Sequence, residues 1–256
     1  MSAMLESISP IQTPKAAELV ARHVRRYIVD AKVESGTRLP SEAELCARYA
    51  VSRTTIREAV RILESEGLVG ANRAVQHGHF ICTPGPEIIA KPAAFLLAID
   101  KVPLSDVITA CRAVEDNAVR LAVSEEGGTG FLALRRVVEH DLPAAFRSRS
   151  LARGALGFHR ALVRASGSVT LAMVAETLHS ILESHTEAVS DSKMYQDPDV
   201  FEVGYQRLRR SYGRMLDVMA TGDPDDAVEH WNMHWTALEM ILFAENKGVT
   251  VTEVVH

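Results

Sequence analysis

The stretch LPSEAELCARYAVSRTTIREAVRILESEGLV, from Leu39 to Val69, carries two helix signals on either side of a very short corner. Pro40 biases Leu39 away from helical geometry, and Ser41 can cap the first of the two helices. Glu44 stands three residues after Ser41, so the pair can form a capping box that satisfies two orphan donors. Leu45 and Tyr49 share one side of this first helix. Ala50 and Val51 make a small apolar corner where two helices can meet closely, and Ser52 caps the second helix. There Ile56, Val60 and Leu63 recur at i, i+4 and i+7, a stripe that must pack inward. Arg53, Arg57 and Arg61 recur at i, i+4 and i+8 on another side, with Thr54 beside them. Guanidinium groups along one ridge suit a groove lined by phosphates and guanine edges. The plainer alternative for these arginines alone is a solvated basic face held by i, i+4 pairs.

The flanking sequence weighs against that alternative. Gly67-Leu68-Val69 ends the helix, and a polar strand–turn–strand comes next, Val69 to Arg73 and then Gln76 to Ile81. Gly78 permits close backbone approach, and His77 or His79 could reach a phosphate or a minor groove. Upstream, Lys15 to Val33 reads as a helix with Val20, Val24 and Ile28 facing inward. The formal net charge is −5, but residues 11–84 hold 11 Lys and Arg against 8 Asp and Glu. A locally basic head on an acidic body is the distribution expected when only one part of a chain approaches a polyanion.

The order of these signals, and SRTTIREAVRILESEGLV above all, resembles the GntR family of bacterial winged-helix regulators over residues 11–84. The resemblance implies that Arg53, Thr54 and Arg57 meet operator bases and phosphates, and that His77 enters the minor groove. The expected DNA-binding set is Ser41, Ser52, Arg53, Thr54, Thr55, Arg57, Arg61, His77 and Gly78. One position departs from the family: Ala43 stands where an Arg is usual, which removes a contact worth ~1–3 kcal/mol if it was base-specific.

Thr83-Pro84-Gly85-Pro86 marks a boundary, after which strand signals almost vanish. Helical runs are expected at 87–99, 104–125, 130–151, 153–166, 168–190, 198–221 and 224–246. Breaks are expected at Val102-Pro103, Glu126 to Gly128, Gly154, Gly167, Asp197-Pro198 and Gly222 to Pro224. Asp223 reads as an N-cap with Pro224 at the first helical position. Short loops between such helices argue an antiparallel all-α bundle over 85–248, with a loose tail from Val249. The fold class is therefore mostly α: a winged helix-turn-helix of three helices and a small β-wing, then the bundle.

A helical bundle behind a winged helix resembles the FadR-type subgroup, whose second domain senses a ligand. That likeness implies a divalent-metal site built from an Asp, a His four residues later and two further His. The corresponding places are Ala155, His159, Tyr212 and His234, so two of four ligands are absent. Two imidazoles make a poor Zn²⁺ site, so neither metal nor cofactor is expected. Arg112, His159, Tyr212 and His234 are the candidate effector-binding residues. Arg112 would hold a carboxylate or phosphate bidentately, or else simply pair with Glu115. His230 and His234 stand at i, i+4, but with only two ligands the plainer expectation is His230 exposed and His234 inside. His179 and His185, on a helix rich in Glu and Ser, are expected at the surface.

No apolar run approaches membrane length; Ala93 to Ile99 is the longest clear one. The N-terminus lacks a secretion pattern, and Cys46, Cys82 and Cys111 are too scattered for a disulfide framework, so a reducing cytoplasm is expected. The leading reading is no enzyme but a ligand-responsive repressor. Its partners would be a palindromic double-stranded operator, a second copy of itself, and a small acidic metabolite, acyl-CoA or fatty acid. Two rivals stand beside it: a metal-dependent enzyme using His159, His230, His234 and Glu229, and a constitutive DNA binder with a decayed sensor.

Overall fold

The computed structural model describes residues 15–71, 78–124, 129–190, 197–242 and 250–251. The chain divides into two compact units that meet in sequence between Ile88 and Ile89. In the first, α1 (Ala16–Asp30), α2 (Glu42–Tyr49) and α3 (Arg53–Ser65) precede a hairpin of β1 (Val69–Ala71) and β2 (His79–Ile81). Val20 and Val24 of α1, Leu45 of α2, and Ile56, Val60 and Leu63 of α3 are buried in one core with Val69 and Ile81. The two strands are antiparallel, with Val69 opposite Ile81, and Arg38 adds a bridge to Phe80. Arg25 of α1 donates twice to the Glu66 carboxylate, at 2.6 and 2.8 Å, pinning α1 to the end of α3. The outer parts of the expected strands fall on residues 72–77, outside the described residues.

The corner between α2 and α3 turns on Ala50, which ends α2 in the left-handed region at φ 52°, ψ 41°. An L-residue there crowds its own Cβ against the backbone, so a one-residue stop is obtained at a steric cost.

The second unit contains α4 (Glu87–Ile99), α5 (Leu104–Ser124), α6 (Thr129–Arg136), α7 (Leu142–Arg147), α8 (Leu151–Ala165), α9 (Val169–Ser190), α10 (Pro198–Thr221) and α11 (Pro224–Leu242). α5 is its axle, packing against α8, α9 and α11. Val107, Ile108, Cys111, Ala118, Val119 and Ala122 form its buried stripe.

Three expectations about elements are corrected. The run 130–151 is not one α-helix: Val137–Asp141 forms a π-turn, in which the Leu142 N–H reaches back to the Val137 carbonyl. Pro143, which has no N–H to give, comes at once after it, so the widened turn falls where the α-ladder is already broken. Gly154 is not a break but lies inside α8; the break is Ser148 to Ser150, with Arg149 at φ 57°. Gly154 serves instead as a point of contact, because a Cβ there would lie 2.5 Å from the Ala145 Cβ. The tail, finally, is not loose at Thr250 and Val251. The Val251 N–H donates to the Val102 carbonyl at 2.9 Å, and its side chain is buried. The bundle thus extends past residue 248.

Candidate functional sites

In the first unit, α3 presents the basic ridge. Ser52 accepts from the Thr55 N–H at 3.2 Å, and the two hydroxyls are 2.9 Å apart. Ser41 and Glu44 form the complete capping box, with the Ser41 N–H donating to the Glu44 carboxylate at 2.8 Å. Ser41, Ser52 and Thr55 are thus engaged in fixing the helix starts. Arg53, Thr54, Arg57 and Arg61 are all exposed, opposite the buried Ile56, Val60 and Leu63. The Arg57 Nε–H points at the Glu42 carboxylate, 3.1 Å from each oxygen. That hydrogen bond draws the Glu42 carboxyl below its usual range, while the Arg57 side chain remains 64% exposed. Ala43, at the position of the family's missing Arg, is exposed beside it. On the hairpin, Gly78 adopts φ 147°, and a Cβ there would lie 3.2 Å from the Arg38 Nε. His79 faces Glu64 at 3.3 Å. His77 lies outside the described residues.

The second unit hides a polar cluster. Glu115, at a position of the α5 stripe that should be apolar, is fully buried. Its Oε1 is 2.6 Å from the His179 Nε2 of α9 and 3.0 Å from the His159 Nδ1 of α8. Its Oε2 accepts from the indoles of Trp231 and Trp235 on α11, at 2.8 and 2.7 Å. Burial by itself would raise the carboxyl pKa, but the two histidines overcome it and hold Glu115 well below the usual carboxylate range. The chain of contacts continues: the Nε2 atoms of His159 and His234 are 3.3 Å apart, and the His234 Nδ1 lies 2.9 Å from the Ser211 hydroxyl. With Glu115 ionised, one order of protons satisfies all four groups. His159 donates from Nδ1 to Glu115, His234 donates from Nε2 to His159, and the Ser211 hydroxyl donates to His234. Burial holds the pKa of both His179 and His234 below the ordinary value. The His179 Nδ1 is buried with no partner among the described residues.

Of the expected effector residues, His159, Tyr212 and His234 come together, with the Tyr212 and His234 ring centres 5.0 Å apart. Arg112 does not join them. It lies on the outer α5–α11 seam, donating to the Asn232 side chain at 3.0 Å and to Glu239 at 3.4 Å. Its sequence neighbour Glu115 points the other way, so the expected local pair is not formed. His179 and His185 are buried rather than at the surface. His230 is half-buried, its Nε2 2.8 Å from the Ser211 carbonyl. Sequence reasoning missed Glu115 and His179 as members of the cluster. The available signal was a polar residue at the i, i+3, i+4 register of an otherwise apolar stripe.

The side chains do not fit the metal site that the likeness implied. Ala155 offers no donor, and the Tyr212 hydroxyl donates to the Ala155 carbonyl at 3.2 Å while its ring stacks on Phe158 at 4.0 Å. Glu115, His159 and His179 do bring three ligand-type atoms within 4.8 Å of one another. The 2.6 and 3.0 Å separations are hydrogen-bond distances, however, and four N–H donors already occupy the carboxylate.

Both units match known families. Residues 16–80 match the family described as bacterial regulatory proteins, gntR family, and residues 106–237 match the FCD domain. The chain is 27% identical over 221 residues to the "Putative L-lactate dehydrogenase operon regulatory protein" of Escherichia coli, covering 83% of this chain and 81% of that protein. It is 25% identical over 208 residues to the Glc operon transcriptional activator of the same organism, covering 78% and 79%. It is 23% identical over 243 residues to the transcriptional repressor NanR of an Enterobacter species, covering 93% and 90%. Among solved structures, a Streptococcus agalactiae GntR protein superposes with a TM-score of 0.62 at 20% identity, over 87% of this chain and 98% of that one. No helix of the described residues is long and apolar enough to cross a membrane.

Proposed function

Because the chain belongs to the GntR family of bacterial regulatory proteins and carries an FCD domain, it is a transcription regulator and not an enzyme, and we propose that it represses transcription from a palindromic operator as a homodimer. The observation that carries this reading is α3: its apolar face is sealed in the core while Arg53, Thr54, Arg57 and Arg61 stand exposed on the other side. A helix so arranged can enter a major groove without unfolding anything. Two-fold symmetry of the protein would demand two-fold symmetry of its site. Repression is supported by the likeness to NanR; the likeness to the Glc activator makes activation the alternative that a promoter–reporter assay would reveal.

The proposed effector is a small carboxylate bound beside His159, Tyr212 and His234. Two features support it: the polar character of that core and a relative whose name ties it to an L-lactate dehydrogenase operon. Arg112, held by Asn232 and Glu239, is left outside this proposed pocket. Such a ligand releases DNA only by binding the non-operator conformer more tightly, a coupling of roughly 1–3 kcal/mol.

Selection of bound DNA from a random pool tests the first half. A two-fold motif is expected, and Arg53→Ala should abolish binding to it without changing the helical circular dichroism. Failure to enrich any motif, or unchanged affinity in the variant, would contradict the reading. A thermal-shift screen of small carboxylates tests the second half, since a true effector stabilises the fold by mass action. The shift should disappear in His234→Ala.

A further inference from the structure

His159 and His234 are the two members of the implied metal set that this chain retains, and their Nε2 atoms stand 3.3 Å apart. Two nitrogens held by one tetrahedral ion at ~2.0–2.1 Å each would be separated by ~3.3–3.4 Å. The pair is therefore spaced as ion ligands are, and a hydrogen bond between the rings spans nearly the same distance. The donors around the pair distinguish the two cases. Ala155 contributes none, and the Tyr212 hydroxyl, its pKa pushed well above the ordinary value by burial, donates to the Ala155 carbonyl. An ion would find two protein ligands where it wants at least three and a water. Without an ion, two bare lone pairs would face each other out of reach of water, since His159 and His234 are 1% and 5% exposed. A proton between them removes that conflict.

We propose that in this chain a proton shared by His159 and His234 takes the place of a metal ion, and that the helical unit forms its site and takes its effector without metal. The rings are held from behind by other groups. The His159 Nδ1 faces the two Glu115 oxygens at 3.0 and 3.1 Å. An ionised carboxylate only accepts, so that nitrogen carries a proton and the Nε2 of the same ring offers its lone pair. The His234 ring lies against Trp231, with 4.7 Å between centres and 17° between planes. Its Nδ1 meets the Ser211 hydroxyl at 2.9 Å, which leaves its Nε2 to supply the shared proton.

One substitution should reverse the exchange. Ala155 lies one turn before His159 on the same face of α8. Ala155→Asp therefore adds a third ligand beside two that already have an ion's spacing. As to the effector, the proposal rests on the carboxylate reading above: with no ion to chelate, the acid is held by hydrogen bonds alone.

Elemental analysis after dialysis against zinc, then against zinc-free buffer, tests the exchange in the full chain. The parent should keep no more zinc than its His234→Ala variant. Ala155→Asp should keep one further ion per chain and lose it again when combined with His234→Ala. Nitrogen-15 NMR of the histidine-labelled parent needs no variant, and should show His159 protonated at Nδ1 and His234 at Nε2. Zinc in the parent that disappears in His234→Ala would overturn the proposal. So would zinc that disappears in His179→Ala, because the ion would then lie on the Glu115 side. An Ala155→Asp variant that folds, by circular dichroism, yet keeps no ion would also overturn it. Any carboxylate found by the thermal-shift screen should bind with unchanged affinity in excess chelator, and loss of binding there would count against the exchange. A screen that finds no carboxylate removes only the effector reading and leaves the zinc and NMR results standing.

Discussion

Glu115 stands at a stripe position of α5 where a leucine would fit the pattern, and the side chains around it are of the kind that keep its charge there. Four N–H donors converge on it from three other helices. Substitution by alanine leaves two indoles and two imidazoles without their acceptor, so Glu115→Ala should cost about 3–5 kcal/mol in chemical denaturation. A surface carboxylate, Glu42, bears on DNA binding instead. Glu42 holds the Arg57 Nε–H and places a negative charge beside the ridge that is to meet phosphates. Glu42→Gln should tighten DNA binding by a few-fold at low salt, with the gain fading as salt rises. A variant that bound no better would mean that Glu42 is needed to orient Arg57.

At the scale of elements, caps and periodicity proved more legible than breaks. The Ser41–Glu44 box, the Ser52 cap and the Asp223 cap stand where their sequences place them, because each depends on residues within one turn. The glycines were less legible. Gly222 does end α10 in the left-handed region, whereas Gly154, a break by its sequence, is a helix–helix contact. Nothing within a few residues of Gly154 distinguishes the two uses; the distinction is the approach of α7. Gly154→Ala should therefore destabilise the bundle by ~1–3 kcal/mol through overpacking against Ala145. Ala50 offers the converse. Its left-handed backbone (φ 52°) suits glycine, so Ala50→Gly should raise the stability of the winged unit by up to about 1 kcal/mol, the released strain exceeding the added chain entropy. Thermal melting of each variant checks both signs.

For the molecule as a whole, every buried polar or charged side chain among the described residues belongs to the helical unit, and this gives the two units different responses to acid. His179 and His234 hold their protons less tightly when folded than the ordinary 6.5. As pH falls through that value the unfolded chain binds protons that the folded chain does not, and stability is lost. Glu115 adds to the loss as pH falls below its ordinary 4.5, because its folded pKa is also depressed. All three contributions are at full strength on the alkaline side of neutrality. Melting followed by tryptophan fluorescence, which reports Trp231 and Trp235 in the bundle, should move to lower temperature as the buffer is taken from about pH 7.5 to about pH 5.5. It should shift more than the winged unit followed by amide exchange. An acid-insensitive bundle would mean that folding leaves the proton affinity of these histidines unchanged, and a melting temperature that rose instead would mean that they are charged when folded.

The sequence alone determined the features that depend on near neighbours and regular spacing: the capped helix pair, the inward stripe of α3 opposite its basic ridge, the hairpin after Gly67, and a run of helices beyond Pro86. Each is settled within a turn or two of chain by sterics, capping and the helical repeat. Tertiary structure alone decided the groupings that long-range packing brings about. It carried Glu115 to the junction of α5, α8, α9 and α11, buried the histidines of α9, turned Tyr212 onto the Ala155 carbonyl, and docked Val251 on the loop at Val102. Those outcomes depend on which faces meet across more than forty residues of chain, and a stripe read in one helix cannot say which partner will fill the space opposite it.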